Sequence, residues 1–149
     1  MYNPQKLMEE YQEFEPGEAR LSAIRQAIQE ADLANDYRYM MFFRYDYACS
    51  CDDNYLLYLY VIFPEILELF ESHPEIQMPA FCSCTAAEAV NHIFSRVLDC
   101  ADFFYQISVS DMEQYLKKYK SFCLAHGYSL FVYHMASARL YRAAGDKEK

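Results

Sequence analysis

Apolar positions recur along the chain at intervals of three and four, and proline, glycine or paired Asn/Asp residues interrupt them at helix-length distances. Asn3-Pro4 forms a helix start, an N-cap followed by proline in the first turn, and Leu7, Met8, Tyr11 and Phe14 then line one face. Pro16-Gly17 ends that element. From Glu18 to about Ala34 a second helix carries Leu21, Ile24, Ala27, Ile28, Ala31 and Ala34 on a single stripe. Asn35-Asp36 breaks the pattern and caps a third helix, Tyr37 to about Cys51. That helix is aromatic on most sides, as expected of a helix sandwiched between neighbours. After Asp52-Asp53-Asn54, the segment Tyr55–Ser72 is apolar and helix-length with Pro64 inside it, which predicts a kink.

The segment from His73-Pro74 to Cys82 is the one clear loop. Thr85-Ala86-Ala87-Glu88 is a capping box opening a helix with Ala86, Ala89, Val90, Ile93, Val97, Leu98, Ala101 and Phe104 in phase. Gln106-Ile107-Ser108 is a connector. The next helix opens at Ser110-x-x-Glu113, with Ser108-x-x-Asp111 as the alternative register. It presents Met112, Tyr115, Leu116, Tyr119, Phe122 and Cys123, and Gly127 stops it in a left-handed conformation. Leu130, Phe131, His134, Met135, Ala138 and Tyr141 form the stripe assigned to the last helix, where Ala136 and Ala138 permit close approach of a neighbour. A Gly145-Asp146 turn closes it. The prediction is therefore all-α: about seven helices, antiparallel because their connections are short, in one domain spanning residues 1–149. Stacked helical hairpins forming a superhelix and a compact bundle both satisfy the pattern.

Composition narrows the function. With 54% hydrophobic and 17% aromatic residues over 149 positions, the chain can bury a core without disulfides. The 3 Gly and 5 Pro are too few for an all-β domain rich in tight turns. A formal net charge of −9 repels phosphate backbones and anionic lipid, which excludes general nucleic-acid and membrane-surface binding. The N-terminus lacks the apolar core of a signal peptide and carries Glu9, Glu10, Glu13, Glu15 and Glu18. The longest apolar run, Tyr55–Pro64, is half of a membrane span. The expected location is the cytoplasm, where the six cysteines stay as thiols.

Three places carry a family resemblance. Ala19–Asp52 has repeat length, with an Ala-rich first helix and an aromatic second helix around Asn35-Asp36. Met112–Asp146 is again one repeat, ending Ala-Ala-Gly-Asp. In the middle, His73-Pro74-Glu75 precedes a long helix and Gln106–Gln114 opens the last hairpin. The chain resembles degenerate tetratricopeptide-type helical repeats of bacterial proteins. It departs from them in having no Trp and in lacking the Leu-Gly pair and closing Pro in register. The resemblance implies protein or peptide binding in a concave groove. It also implies a further helix after the Gly-Asp turn, so that the chain would be the N-terminal part of a longer protein.

Candidate chemistry is sparse. Cys49-Ser50-Cys51 and Cys82-Ser83-Cys84 are identical triplets, and four thiolates can build a tetrahedral zinc site from Cys49, Cys51, Cys82 and Cys84. Residues two apart on a helix point about 200° from one another, however, which argues against Cys49 and Cys51 meeting one metal and favours free thiols. His73, His92, His126 and His134 are scattered, and no Gly-rich phosphate loop or nucleophile elbow is present. The expectation is a non-enzymatic domain with no cofactor. Among the seven tyrosines of residues 36–60, Tyr37 and Tyr45, with Arg44 and with Asn91 from the following helix, form a candidate clamp for a peptide backbone or carboxylate. The leading function is thus protein or peptide interaction, with a homodimer through the C-terminal hairpin as one arrangement. The alternative is a small acidic inhibitor or immunity-type protein that occludes a basic surface, or a zinc-stabilised helical module. A clustered acidic face would favour the inhibitor, a polar-aromatic concavity the repeat domain.

Overall fold

The computed structural model describes residues 1–99, 108–143 and 145. Among them the chain forms α1 (Pro4–Gln12), α2 (Glu18–Leu33), α3 (Tyr37–Ser50), a 3-10 turn (Asp53–Tyr55), α4 (Leu56–Ser72), α5 (Ala86–Asp99), α6 (Val109–His126) and α7 (Phe131–Ala143), and no strand. The protein is all-α. No helix among the described residues is long and apolar enough to cross a membrane. Two compact units divide the chain, Met1–Ile93 and Phe94–Lys149, so the boundary falls inside α5. The stripe and connector residues Cys100, Ala101, Phe104, Gln106 and Ile107, and Asp146 of the closing turn, lie outside the described residues.

In the first unit, α1 packs on α2, α2 on α3 and α3 on α4. The α2 stripe is buried as its spacing requires: Leu21, Ile24, Ala27, Ile28 and Ala31 are all at most 2% exposed. This helix begins at Gly17 with no side-chain cap. A missing cap costs about 1 kcal/mol, while each buried Leu or Ile contributes roughly 1.5–3 kcal/mol, so packing decides. Its C-terminus is closed by Asn35 in the left-handed region (φ 52°), which lets the Asp36 amide reach back to the Ala31 carbonyl at 3.1 Å. Asp36 then caps α3 through the Tyr39 amide. This three-residue connection makes α2 and α3 a hairpin.

Two expectations are corrected. The first helix stops at Gln12 rather than reaching Phe14, which is 45% exposed; of its stripe only Tyr11 is buried, donating its hydroxyl to Asp46 of α3. Ala34, expected on the α2 stripe, is the exposed C-cap. Pro64 lies inside α4, which runs as one helix from Leu56 to Ser72, as the sequence reading of one helix-length segment has it. A proline inside a helix costs about 3 kcal/mol. Ile62, Phe63, Ile66 and Leu67 beside it are buried and together outweigh that, while Pro64 itself lies on the exposed side.

In the second unit, α6 packs on α7. Ser108 rather than Ser110 caps α6, accepting from the Asp111 amide at 3.1 Å. Gly127 (φ 74°) ends it, and the Tyr128 amide reaches back to the Cys123 carbonyl. Met112, Leu116, Tyr119 and Cys123 are buried as expected. The stripe expected for α7 is not: Phe131, His134, Met135 and Ala138 are exposed, and the buried positions are Ala136 and Leu140. Apolar residues occur on both sides of α7, so periodicity alone does not choose the inner one; small Ala136 supplies the close approach to the neighbour.

Candidate functional site

Three of the four clamp residues have different partners. Tyr37, at the start of α3, packs its ring 4.4 Å from that of His73. Arg44 is nearly buried, with its side chain 11% exposed, and its guanidinium is bidentate to Asp32 of α2, both contacts 2.8 Å. Its Nε also donates to Glu65 of α4 at 3.2 Å, and Nη1 to the Met40 carbonyl. Arg25 of α2 completes the network, donating to both oxygens of Glu65 at 2.9 and 3.1 Å while lying over the Tyr47 ring. Burial alone would lower the Arg44 pKa, but hydrogen bonding to Asp32 and the charges of Asp32 and Glu65 raise it instead. Arg44 thus ties three helices together, and its planar fork suits that role better than a single ligand contact. Asn91 is half-buried on α5.

Tyr45 leads elsewhere. One residue on from Arg44, it turns toward α5, where its hydroxyl is 2.9 Å from Nδ1 of His92. Burial pushes the Tyr45 hydroxyl pKa well up; a hydrogen bond to Cys49 and the nearness of Cys49, Cys84 and Cys82 add to the shift. Cys49 is four residues after Tyr45 and shares its helix face. One tyrosine therefore stands among three thiols and an imidazole, a grouping that the helical spacing of Tyr45 and Cys49 hints at but that Cys82, Cys84 and His92 join only through the tertiary fold.

The cysteines divide sharply. Cys49, near the end of α3, is exposed, while Cys51, its C-cap, is buried, its Sγ donating to the Tyr47 carbonyl at 3.3 Å. The four-cysteine zinc set is therefore not assembled, and no three His, Cys, Asp or Glu side chains among the described residues are placed to hold a metal ion. The segment before α5 is held differently. Met78 and Pro79 are buried, Phe81 packs edge-on to Phe42 at 5.0 Å, and the Cys82 amide donates to the Pro79 carbonyl. Thr85 ends the segment by capping α5, accepting from the Glu88 amide at 3.1 Å and donating to its carboxylate. Between these anchors the Cys82 and Cys84 sulfurs lie 3.4 Å apart, both half-exposed.

Two apolar surfaces stand out, one on α4 and one on α7, the latter within the C-terminal hairpin from which a homodimer was expected. On α4, Leu57 and Val61 are 56% and 60% exposed, with Pro64 beyond them on the same face. On α7, Phe131 and Met135 are 65% and 42% exposed, followed by exposed Ala138. Both runs have i, i+4, i+7 spacing, which forms one stripe along a helix. A depression beside α1 is lined by Met1, Asn3, Lys6, Leu7, Glu10 and Glu30 and includes none of the clamp residues. No protein-family model, curated protein or solved structure matches the chain.

Proposed function

We propose that this chain is a helical interaction domain, built of hairpins of tetratricopeptide type, that binds a protein or peptide without chemistry of its own. The observation carrying this reading is the α7 stripe of Phe131, Met135 and Ala138, which leaves an apolar helix face in water. Such a face fits an apolar helix laid along it, with anchors spaced as on the stripe itself. The hairpin contacts of α2 with α3 and of α6 with α7 support the repeat reading. The clamp of Tyr37, Arg44, Tyr45 and Asn91 gives way to this surface, because Arg44 is already occupied by Asp32 and Glu65.

The test is capture from source-cell extract with the wild type and with Phe131→Glu/Met135→Glu, alongside light scattering of each alone. Loss of the captured protein, or of a wild-type dimer, in a double variant with unchanged helical circular dichroism supports the reading. Identical capture and identical mass in both would remove it. A second reading, an acidic inhibitor of a basic protein surface, is favoured by the exposure of Glu9, Glu10, Glu13, Glu15 and Glu18. It predicts capture that weakens steeply with salt and is indifferent to the α7 variant.

A further inference from the structure

The geometry points to Cys82 and Cys84 as a dithiol site that exchanges with small-molecule disulfides, passing between two thiols and an internal disulfide across Ser83. Their sulfurs are 3.4 Å apart, so about 1.4 Å of closure reaches the bonded S–S length of about 2.05 Å. The backbone there is loop, not helix, so no helical twist drives the side chains apart. Both thiols are half-exposed, which admits a small reactant. The anchors on either side, buried Met78 and Pro79 and the Thr85 cap, hold the pair in register.

The two sulfurs take different parts. Burial, then the hydrogen bond and charge of Cys82, push the Cys84 thiol up to about 11. The pair shares one proton once one thiol ionises; we take Cys82 as the attacking sulfur and Cys84 as the resolving one, an assignment that the Cys84→Ser variant below tests. The Cys82 thiolate bonds to one sulfur of the external disulfide, whose own S–S bond breaks and releases one thiolate. Cys84 then loses its proton to solvent and attacks the Cys82 sulfur, the mixed disulfide breaks, and a second thiolate leaves. The protein dithiol is oxidised by two electrons, and the external disulfide is reduced to two thiols. A disulfide between residues two apart closes a short, strained ring, and two small-molecule thiols reduce it again by the reverse exchange, leaving as their own disulfide, so the site cycles. Cys49, exposed and beside Tyr45, is the competing thiol, whereas buried Cys51 is sheltered.

The experiment equilibrates the full chain with mixtures of reduced and oxidised glutathione and reads intact mass, then chymotryptic peptides. Chymotrypsin is needed because no Lys or Arg lies between Arg44 and Arg96. The expected result is loss of two hydrogens, mapped to one peptide holding Cys82 and Cys84, unchanged in Cys49→Ser. In Cys84→Ser, the glutathione adduct on Cys82 should persist at least tenfold longer than in wild type. Phenylarsine oxide, a dithiol reagent that needs no variant, should block the wild-type reaction at one equivalent. A persistent glutathione adduct at Cys82 in wild type, a disulfide to Cys49, or oxidation unaffected by phenylarsine oxide would each overturn the proposal.

Discussion

The triplet Cys-Ser-Cys occurs twice in this chain, and the two copies do different things. At residues 49–51 it ends α3, where helical geometry sends Cys49 to solvent and Cys51 into the core. Ser50 turns inward on its own helix and donates to the Asp46 carbonyl at 2.8 Å. At residues 82–84 the same three residues sit in a loop and bring their sulfurs to 3.4 Å. The side chains are identical, so backbone conformation alone decides whether a thiol packs, faces water or meets another thiol.

The largest effect that separates the copies is burial of charge. Cys51→Asp places a carboxylate at a position with 0% exposure and should destabilise by about 3 kcal/mol or more. Cys84→Asp, half-exposed in the loop, should cost less, about 1–2 kcal/mol. Urea denaturation of both variants measures the contrast, and equal losses would erase it.

A smaller effect concerns what holds the helical copy in place. Arg44→Met removes the guanidinium shared by Asp32 and Glu65, two turns before Cys51. Breaking a fully buried pair costs about 3–5 kcal/mol. Asp32 and Glu65 are 38% and 33% exposed, and solvent screening brings the expected loss to about 2 kcal/mol. Alkylation of Cys51 should quicken in this variant while phenylarsine oxide binding at Cys82 and Cys84 stays as it was. Unchanged protection of Cys51 would mean that α3 is fixed by its aromatic packing alone.

The smallest effect is reached with alkali. Tyr45 stands between the two copies with its pKa raised by burial and then by Cys49, and Tyr11 is raised by burial and then by Asp46. Their folded values lie above the unfolded value of about 10. The stability they contribute is therefore fully present below pH about 10 and is lost as pH rises through the folded values. Urea midpoints should be flat up to about pH 8.5, decline slightly as the raised thiols of Cys84 and Cys123 come into play, and fall more steeply above about pH 10, with tyrosinate absorbance appearing late. A midpoint that already declines near neutrality would contradict the assignment.

These contrasts show where sequence is readable. Caps are local, so the Asn3, Thr85 and Gly127 boundaries were legible. Between Ser108 and Ser110 both registers satisfy the same local rule, so the local pattern does not choose between them. One-sided stripes such as Leu21–Ile24–Ile28 were equally clear, whereas α7 is apolar on two sides and its outward face was misread. The helical splay of Cys49 and Cys51 followed from geometry known in advance. What no local pattern contains is a partner far along the chain: Arg25 meets Glu65 forty residues away, and Tyr45 meets His92. The candidate clamp meets the same limit: Tyr37, Arg44 and Tyr45, chosen for their chemistry, each contact a residue on another part of the chain, His73, Asp32 with Glu65, and His92.

The left-handed Asn35 between α2 and α3 has a kinetic consequence. A turn of three residues surrenders little loop-closure entropy, and the hairpin that it joins contributes Ile24, Ile28, Met41 and Phe43 to the core. Contacts so near in sequence form early. The α2–α3 pair is thus the natural nucleus of the first unit, and Glu65 of α4 arrives afterwards to accept from two arginines already facing it. Asn35→Gly, which keeps the left-handed turn, should leave the refolding rate nearly unchanged, and Asn35→Val, whose β-branched side chain resists it, should slow refolding more than it hastens unfolding.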